Sequence, residues 1–594
     1  MRETLNESIT RDAAIDMLAQ HMVTRPVFDA LFDGYSFKET NPVARIMELM
    51  LASLDEHPMA AETATLDNFY DSVRRRIAGV DNAAGKQKVL VELYDKFFAT
   101  AFKKTVDKLG IVYTPVEIVD FILRSADDVL RAEFGHGLTD EGVHVLDPFT
   151  GTGTFMVRLL QSGLIEPHDL ARKYATELHA SEILLLAYYI ATVNIETTYA
   201  DLINEQRGEL AGVAEPVEFP GLVLTDTFQS WEPDDTPDLA IFAENNERLQ
   251  RLKGLPITVI VGNPPYSSGQ DSANDNNANE KYPSLDEEIR KTYAERSNAT
   301  NKNSLYDSYI RAIKWATLRI KDRGVIAYVT NGGFLDSNTA DGMRKTLAEE
   351  FSSIYIYNLR GNQRTAGEQS RKEGGKIFGG GSRATVAITL LVKDSHHQGL
   401  SKIHYEDVGD YLTREEKLAR VADAGSVSRL SPTSITPNPH GDWLNQRRDD
   451  FDSFLAIGDR ESRQAVFDRY GPGMQTNRDV WVYGSSEAAV EGSMTRTIPA
   501  YNSEVERWHA LAKAGDDRAV ADFVNNDATK ISWSRSLRGY LRRGTRSSFD
   551  QALISRAQYR PFNAQRFYFD RTWNHEPALS LPPSPRAGTT TAST

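Results

Sequence analysis

The sequence predicts an α/β fold of the Rossmann-like kind, a mostly parallel and doubly wound sheet, with a helical region before it and a smaller domain after it. Three observations predict this. From Val143 onward, short apolar runs alternate with helical segments, and strands separated by helices require crossover connections in a largely parallel sheet. The first run is followed at once by the glycine-rich D-P-F-T-G-T-G-T-F, Asp147 to Phe155, a strand feeding a tight turn that opens a helix. Before residue 110 the pattern is helical instead: Leu90, Leu93, Tyr94, Phe97, Ala101 and Phe102 recur at helical spacing.

The strand runs follow in order. They are V-H-V-L before Asp147, L-H-A-S-E-I at 178–183, L-V-L-T-D at 222–226 and I-T-V-I-V-G-N at 257–263, then G-V-I-A-Y-V-T-N at 324–331, I-Y-I-Y-N at 354–358 and A-T-V-A-I-T-L-L-V at 384–392. Together they suit one domain over residues 105–400, preceded by a helical region at 1–104. The polar, asparagine-rich Gln270–Ser304 reads as a loop with little to bury. S-P-T-S-I-T-P-N-P-H near 430–440 reads as part of a linker at 401–440. A further domain is expected at 441–575, and the low-complexity tail 576–594 is expected to be disordered.

Composition bounds the function. A chain of 594 residues is expected to hold about two to four domains. It contains no cysteine, which excludes disulfides, thiolate-ligated metal and any thiol nucleophile. No metal site is expected. The longest apolar run, 183–193, is shorter than the ~20 residues that cross a bilayer, and the polar N-terminus lacks a signal-peptide core; a cytoplasmic protein without membrane contact is expected. The net charge of −15 argues against general coating of nucleic acid but permits a local basic surface. One such surface is suggested between Lys530 and Arg571, where ten basic residues, among them Arg535, Arg538, Arg542 and Arg543, stand against two acidic ones and are interleaved with aromatics. That mixture suits phosphates and bases, and equally a basic face over an aromatic core.

The candidate site gathers at strand ends. In the turn after Asp147-Pro148, Gly151 and Gly153 let backbone approach a ligand. Glu182 ends the second run, where a carboxylate can accept from both hydroxyls of a ribose. Asp226 ends the third, where it can accept from an adenine amine. The fourth run stops at Asn263-Pro264-Pro265-Tyr266. Prolines cannot continue a ladder, and here they hold Asn263 and the Pro264 carbonyl as two acceptors for a planar amine. Tyr266 offers a stacking face for a flipped base.

These motifs, with G-I-V-Y-T-P at 110–115 supplying Tyr113, Thr114 and Pro115, resemble the gamma arrangement of amino-group DNA methyltransferases. The resemblance implies a class I methyltransferase sheet, S-adenosyl-L-methionine as cofactor and double-stranded DNA as partner. It gives Tyr113, Thr114, Pro115, Asp147, Pro148, Gly151, Gly153, Glu182 and Asp226 to the donor, and Asn263, Pro264, Pro265 and Tyr266 to catalysis. A narrower likeness rests on A-S-E-I-L-L-L-A-Y-Y-I-A-T-V-N-I-E, T-N-R-D-V-W-V-Y at 476–483, I-S-W-S-R-S-L-R and Y-R-P-F. These resemble the methyltransferase and target-recognition half of type ISP restriction–modification enzymes. That likeness implies a coupler-like N-terminus, a partial C-terminal target-recognition domain, Phe378 as a stacking partner for the target base, and DNA contacts from Arg535, Arg538, Arg542 and Arg543.

No Walker-type G-x-x-x-x-G-K-[ST] and no acidic nuclease cluster occurs in this sequence, so cleavage and translocation are expected to be absent, and a separate restriction/translocase subunit is a candidate partner. C5-cytosine methylation is excluded, because it proceeds through a cysteine adduct. The reading is N6-adenine methylation of specific DNA sites. Its rivals are a catalytically impaired DNA-binding remnant and methylation of N4-cytosine, rRNA or protein glutamine.

Overall fold

A computed structural model describes residues 14–22, 24, 41–54, 75, 114–207, 216–233, 242–265, 282–378, 383–448, 450, 453–459, 464–467, 474–513, 520–525, 530–560 and 563–575. The chain divides into two compact units. One comprises Met1–Gly269 with Glu280–Gln446, the other Gln270–Asn279 with Arg447–Thr594.

The first unit is built on a nine-stranded sheet: β1 (His144–Asp147), β2 (Leu178–Glu182), β3 (Leu222–Leu224), β4 (Ile257–Gly262), β5 (Arg323–Asn331), β6 (Ser353–Arg360), β7 (Val386–Asp394), β8 (Lys402–Asp407) and β9 (Thr433–Ile435). They lie in the order β3-β2-β1-β4-β5-β7-β6-β8-β9. From β3 to β5 every pairing is parallel, whereas β7 runs antiparallel between β5 and β6. Sheet order reverses beside β1, where β2 lies on one side and β4 on the other. In open α/β sheets ligands bind outside the carboxyl ends of the strands at such a switch point.

Central strands are buried on both faces, as continuous apolar runs should be. Val259 and Val261 of β4 enter one core, with helices Val116–Phe134, Thr154–Gln161 and Leu185–Arg207. Ile260 enters the other, with helices Ala243–Gly254, Ser308–Arg319 and Asp341–Glu350. The helical expectation for 1–104 holds where that region is described, at 14–22 and Pro42–Leu54. Its 88–102 periodicity, like the tail 576–594, lies outside the described residues.

Two expectations need correction. Residues 401–440 are not a linker: β8 and β9 extend the sheet, and helix Arg414–Ala424 packs against helix Val116–Phe134, with Leu418 and Val421 in their shared core. The Pro/Ser/Thr stretch supplies the short edge strand β9, a position where proline does least harm. Nor is 282–304 an open loop. Leu285, Ile289 and Tyr293, four residues apart, bury one face of a helical segment beginning at Pro283, a periodicity hidden behind the asparagine-rich run before it.

In the second unit, β10 (Ala456–Gly458) pairs with β11 (Ala465–Phe467), and β12 (Tyr483–Gly484), β14 (Asn563–Tyr568) and β13 (Ile554–Arg560) form an antiparallel sheet. Beside it lie helices Glu487–Lys513 and Arg535–Arg542. Their shared core holds Val490, Met494, Tyr501, Trp533, Leu537, Leu541, Phe567, Tyr568 and Trp573.

Candidate donor and catalytic site

The carboxyl ends of β1, β2, β3 and β4 bring Asp147, Glu182, Asp226 and Asn263 to one edge of the sheet. Asp147 is the last residue of β1 and fully buried. Its Oδ1 accepts from the Phe149 amide at 3.1 Å, while Oδ2 has no partner among the described residues. Burial, with the nearby Glu182 as a lesser cause, pushes its pKa up to about 8. Beside it Gly262 is required by contact: a Cβ there would stand 2.9 Å from Asp147 Oδ1, closer than such atoms approach.

The loop that follows turns on left-handed glycines, Gly151 at φ 56° and Gly153 at φ 87°, which side-chain-bearing residues adopt at a cost. Gly153 also lets the loop close on the helix Leu185–Arg207, since a Cβ would lie 3.2 Å from Ala191 Cα. Three cross-links hold the strand ends together: Thr150 N donates to Ser181 O (3.1 Å), Thr225 N to Glu182 O (2.9 Å) and Thr227 Oγ1 to Pro148 O (2.6 Å).

Glu182 closes β2. Its Oε2 accepts from Gly151 N and its Oε1 from Leu184 N, both at 2.8 Å. Burial raises its pKa to about 7 against these backbone bonds. Each carboxylate oxygen carries two lone pairs, so a diol can still be received. Asp226 sits two residues past β3; its Oδ1 accepts from Phe228 N (2.9 Å) and Gln229 N (3.2 Å), and its Oδ2 from the Tyr282 hydroxyl (3.0 Å).

Asn263 is half-buried just beyond β4, followed by buried Pro264 and half-buried Pro265. Its Nδ2 donates to Thr114 Oγ1 at 2.9 Å. Thr114 and Pro115 precede the helix Val116–Phe134, so this bond joins the upstream motif to the amide across 149 residues of sequence. It also fixes which edge of the amide presents its oxygen. Tyr113 and Tyr266 lie outside the described residues.

Four site features were not visible in the pattern. Tyr328 of β5 has a buried hydroxyl without a partner among the described residues, and its pKa is held well above the usual range by burial and, to a lesser degree, by Asp147. Phe149 lies between Tyr328 (centroids 6.4 Å apart) and Phe228 (5.5 Å). Phe228 in turn meets Tyr282 edge-on at 5.2 Å. An aromatic row therefore lines the strand ends from β5 to the segment after β3. Only Phe149, inside D-P-F, carried a signal.

Phe378 is 2% exposed and packs in the core with Ile377, Tyr357 and Val386. It presents no open face here, and stacking on a base would require it to leave that core. In the second unit the interleaved cations and aromatics separate. Trp533, Phe567, Tyr568 and Trp573 are buried, while Arg535, Arg542 and Arg543 are exposed and Arg538 is half-buried. The helix Arg535–Arg542 is thus a basic face over an aromatic core, with Arg535, Arg538 and Arg542 opposite Leu537 and Leu541. In T-N-R-D-V-W-V-Y, Arg478 is buried and donates to Trp573 O and Ser534 Oγ, and burial lowers its pKa to about 10. It joins separated parts of this unit.

Three stretches of the chain match known domain families. Residues 1–85 match the type ISP restriction-modification enzyme coupler domain, 185–364 the Eco57I restriction-modification methylase, and 465–589 the type ISP C-terminal specificity domain. Both ends of the chain are thus similar to domains of type ISP restriction–modification enzymes, and the segment between them is similar to a restriction–modification methylase.

Among solved structures, a nuclease-deletion mutant of the type ISP enzyme LlaGI in complex with a DNA substrate mimic is 45% identical, with a TM-score of 0.86 over 96% of this chain and 46% of that one. The ATP-dependent type ISP enzyme LlaBIII bound to DNA is 42% identical, with a TM-score of 0.86 over 96% and 38%. The DrdV–DNA complex is 32% identical, with a TM-score of 0.84 over 96% and 55%. The chain thus spans about half the length of these relatives or less. No curated protein matches it. The match at 185–364 is to a methylase domain, and such a domain implies a methyl donor. No helix among the described residues is long and apolar enough to cross a membrane.

Proposed function

We propose that this chain methylates the N6 amine of adenine at specific sites in double-stranded DNA, using S-adenosyl-L-methionine, as the modification activity of a restriction–modification system. The observation that carries the reading is Asn263, held by Thr114 at the carboxyl end of β4 on the same sheet edge as Asp147, Glu182 and Asp226.

The site fits the donor by its own chemistry. The buried, unpartnered Asp147 Oδ2 suits a cationic group, which would offset the cost of burying a carboxylate. Glu182 suits the ribose diol, Asp226 the adenine amine, and the left-handed turn at Gly151 and Gly153 leaves room for the ligand. The donor supplies an activated methyl on sulfur, so a strong general base is unnecessary.

The protein's part is to prepare the acceptor. An exocyclic adenine amine is a poor nucleophile because its lone pair is delocalised into the ring. Two acceptors that draw its hydrogens out of the plane localise that pair on nitrogen, and the Asn263 amide oxygen and Pro264 carbonyl serve this role. The proline pair makes the turn rigid, so little is lost to reorganisation. The base leaves the duplex to reach them, with Tyr266 as its stacking face. Asparagine at the first motif position favours adenine over N4-cytosine. Docking on the duplex falls to Arg535, Arg538, Arg542 and Arg543, cations on one side of the specificity unit.

The test is to offer tritiated donor with duplex DNA, RNA and protein in parallel, then to digest the labelled product to nucleosides. Label in N6-methyladenine from DNA is expected. Label only in N4-methylcytosine, RNA or protein would replace the proposal.

A further inference from the structure

We propose that Tyr282 is a positioning residue for donor recognition, orienting the Asp226 carboxylate toward the exocyclic amine of the donor's adenine. This rests on the reading of the strand-end site given above and extends it to a residue outside every motif.

The geometry is specific. Asp226 is fixed from both ends: Oδ1 by the amides of Phe228 and Gln229, Oδ2 by the Tyr282 hydroxyl at 3.0 Å. Donors on both carboxylate oxygens settle its plane, and a fixed plane decides how the carboxylate meets an incoming amine.

Tyr282 is itself held on every side. Its ring meets Phe228 edge-on at 5.2 Å, and the Arg311 guanidinium lies 5.3 Å from its centroid. Arg311 is oriented by a two-bond contact with Asp286, at 2.7 and 2.9 Å. Asp286 also joins the Tyr282 backbone: its amide donates to Tyr282 O at 2.7 Å, and its Oδ2 accepts from Tyr282 N at 3.3 Å. A second clamp runs parallel to the first. Buried Glu232, six residues after Asp226, accepts from Ser284 N (2.8 Å) and Leu285 N (3.1 Å). The segments 226–232 and 282–286 are thus fastened at both ends, which is more than one surface tyrosine needs. A bond to an ionised acceptor is among the stronger hydrogen bonds, so its loss should be readable in affinity.

The experiment compares the full chain with Tyr282→Phe, which keeps the ring, its contact with Phe228 and its place beneath Arg311. Binding of S-adenosylhomocysteine and of its 6-oxo counterpart, S-inosylhomocysteine, is measured by calorimetry, and transfer kinetics by donor titration. In Tyr282→Phe the affinity for the adenosyl ligand should fall roughly 5- to 20-fold, the range for one hydrogen bond to a charged group. The inosyl ligand should change less than twofold, and donor KM should rise while kcat at saturating donor stays within twofold. In an Asp226→Asn background the further substitution Tyr282→Phe should have little added effect.

Equal losses for both ligands would make Tyr282 a general structural support and overturn the proposal, as would unchanged affinity for both. If the unsubstituted protein bound neither ligand, the donor-site reading itself would fail and this inference with it, an outcome distinct from a variant that binds normally.

Discussion

Replacing Asp147 with asparagine should move stability and donor affinity in opposite directions. The carboxyl is fully buried, one oxygen has no partner among the described residues, and burial pushes its pKa to about 8, against an ordinary value of about 3.9 in an unfolded chain. The folded state therefore holds this proton more tightly than the unfolded one. Its stabilising effect is complete below pH ~4, is lost as pH rises toward 8, and changes little above that. Within the window one proton gives a slope of about 1.4 kcal/mol per pH unit. Glu182, raised to about 7, adds a second contribution of the same sign that ends one pH unit earlier.

Asp147→Asn removes the first contribution and leaves the second. From pH 5 to 7 the free variant should lose stability about half as steeply as the unsubstituted protein. At pH 8 it should be more stable by about 1–3 kcal/mol, the cost of one buried unsatisfied polar group. Donor affinity should fall tenfold or more, because the variant offers a cation no charge. Urea unfolding at pH 5 to 9, with and without donor, reads both effects. Identical pH slopes in the two proteins, or undiminished donor binding by the variant, would refute the assignment of the buried carboxyl to the donor.

Other substitutions probe separate parts of the account. Gly262→Ala places a Cβ 2.9 Å from Asp147 Oδ1; overpacking of this kind costs about 1–3 kcal/mol, and donor binding should weaken with it. Thr114→Val removes the acceptor for Asn263 Nδ2, and steady-state kinetics should show kcat falling about tenfold, the effect of one lost orienting bond of ~1.4 kcal/mol, with donor KM nearly unchanged. Arg478→Met leaves Trp573 O and Ser534 Oγ without their buried donor; calorimetry should show the specificity unit destabilised by about 3 kcal/mol, within the range for breaking a buried network. Removing Arg535 and Arg542 together should reduce the salt dependence of DNA affinity by about one unit of slope per arginine. An unchanged slope would place the DNA contact elsewhere.

The α/β sheet was legible because its strands are buried on both faces and so appear as uninterrupted apolar runs, as in V-I-V-G before Asn263. The gathering of Asp147, Glu182, Asp226 and Asn263 at one sheet edge was legible because they sit at strand ends, where sequence position implies spatial position. Beyond the sheet's centre this logic weakens. The edge strands Lys402–Asp407 and Thr433–Ile435 are half-exposed and polar, so they resembled a linker. Leu285, Ile289 and Tyr293 were masked by the asparagine run that precedes them. Tyr282 and Tyr328 reach the site only through tertiary packing, and no local spacing announces that. The arginines and tryptophans of 530–573 share one stretch of sequence, yet their division into surface and core depends on strand and helix faces that composition alone does not assign.

The central claim is that Asn263 acts on the acceptor amine and not on the donor. Its most direct test is Asn263→Ala, measured for donor binding by calorimetry and for methyl transfer to duplex DNA with tritiated donor. Donor affinity within a few-fold of the unsubstituted protein, with incorporation into N6-methyladenine abolished, is the predicted result. Transfer at the unsubstituted rate would contradict it.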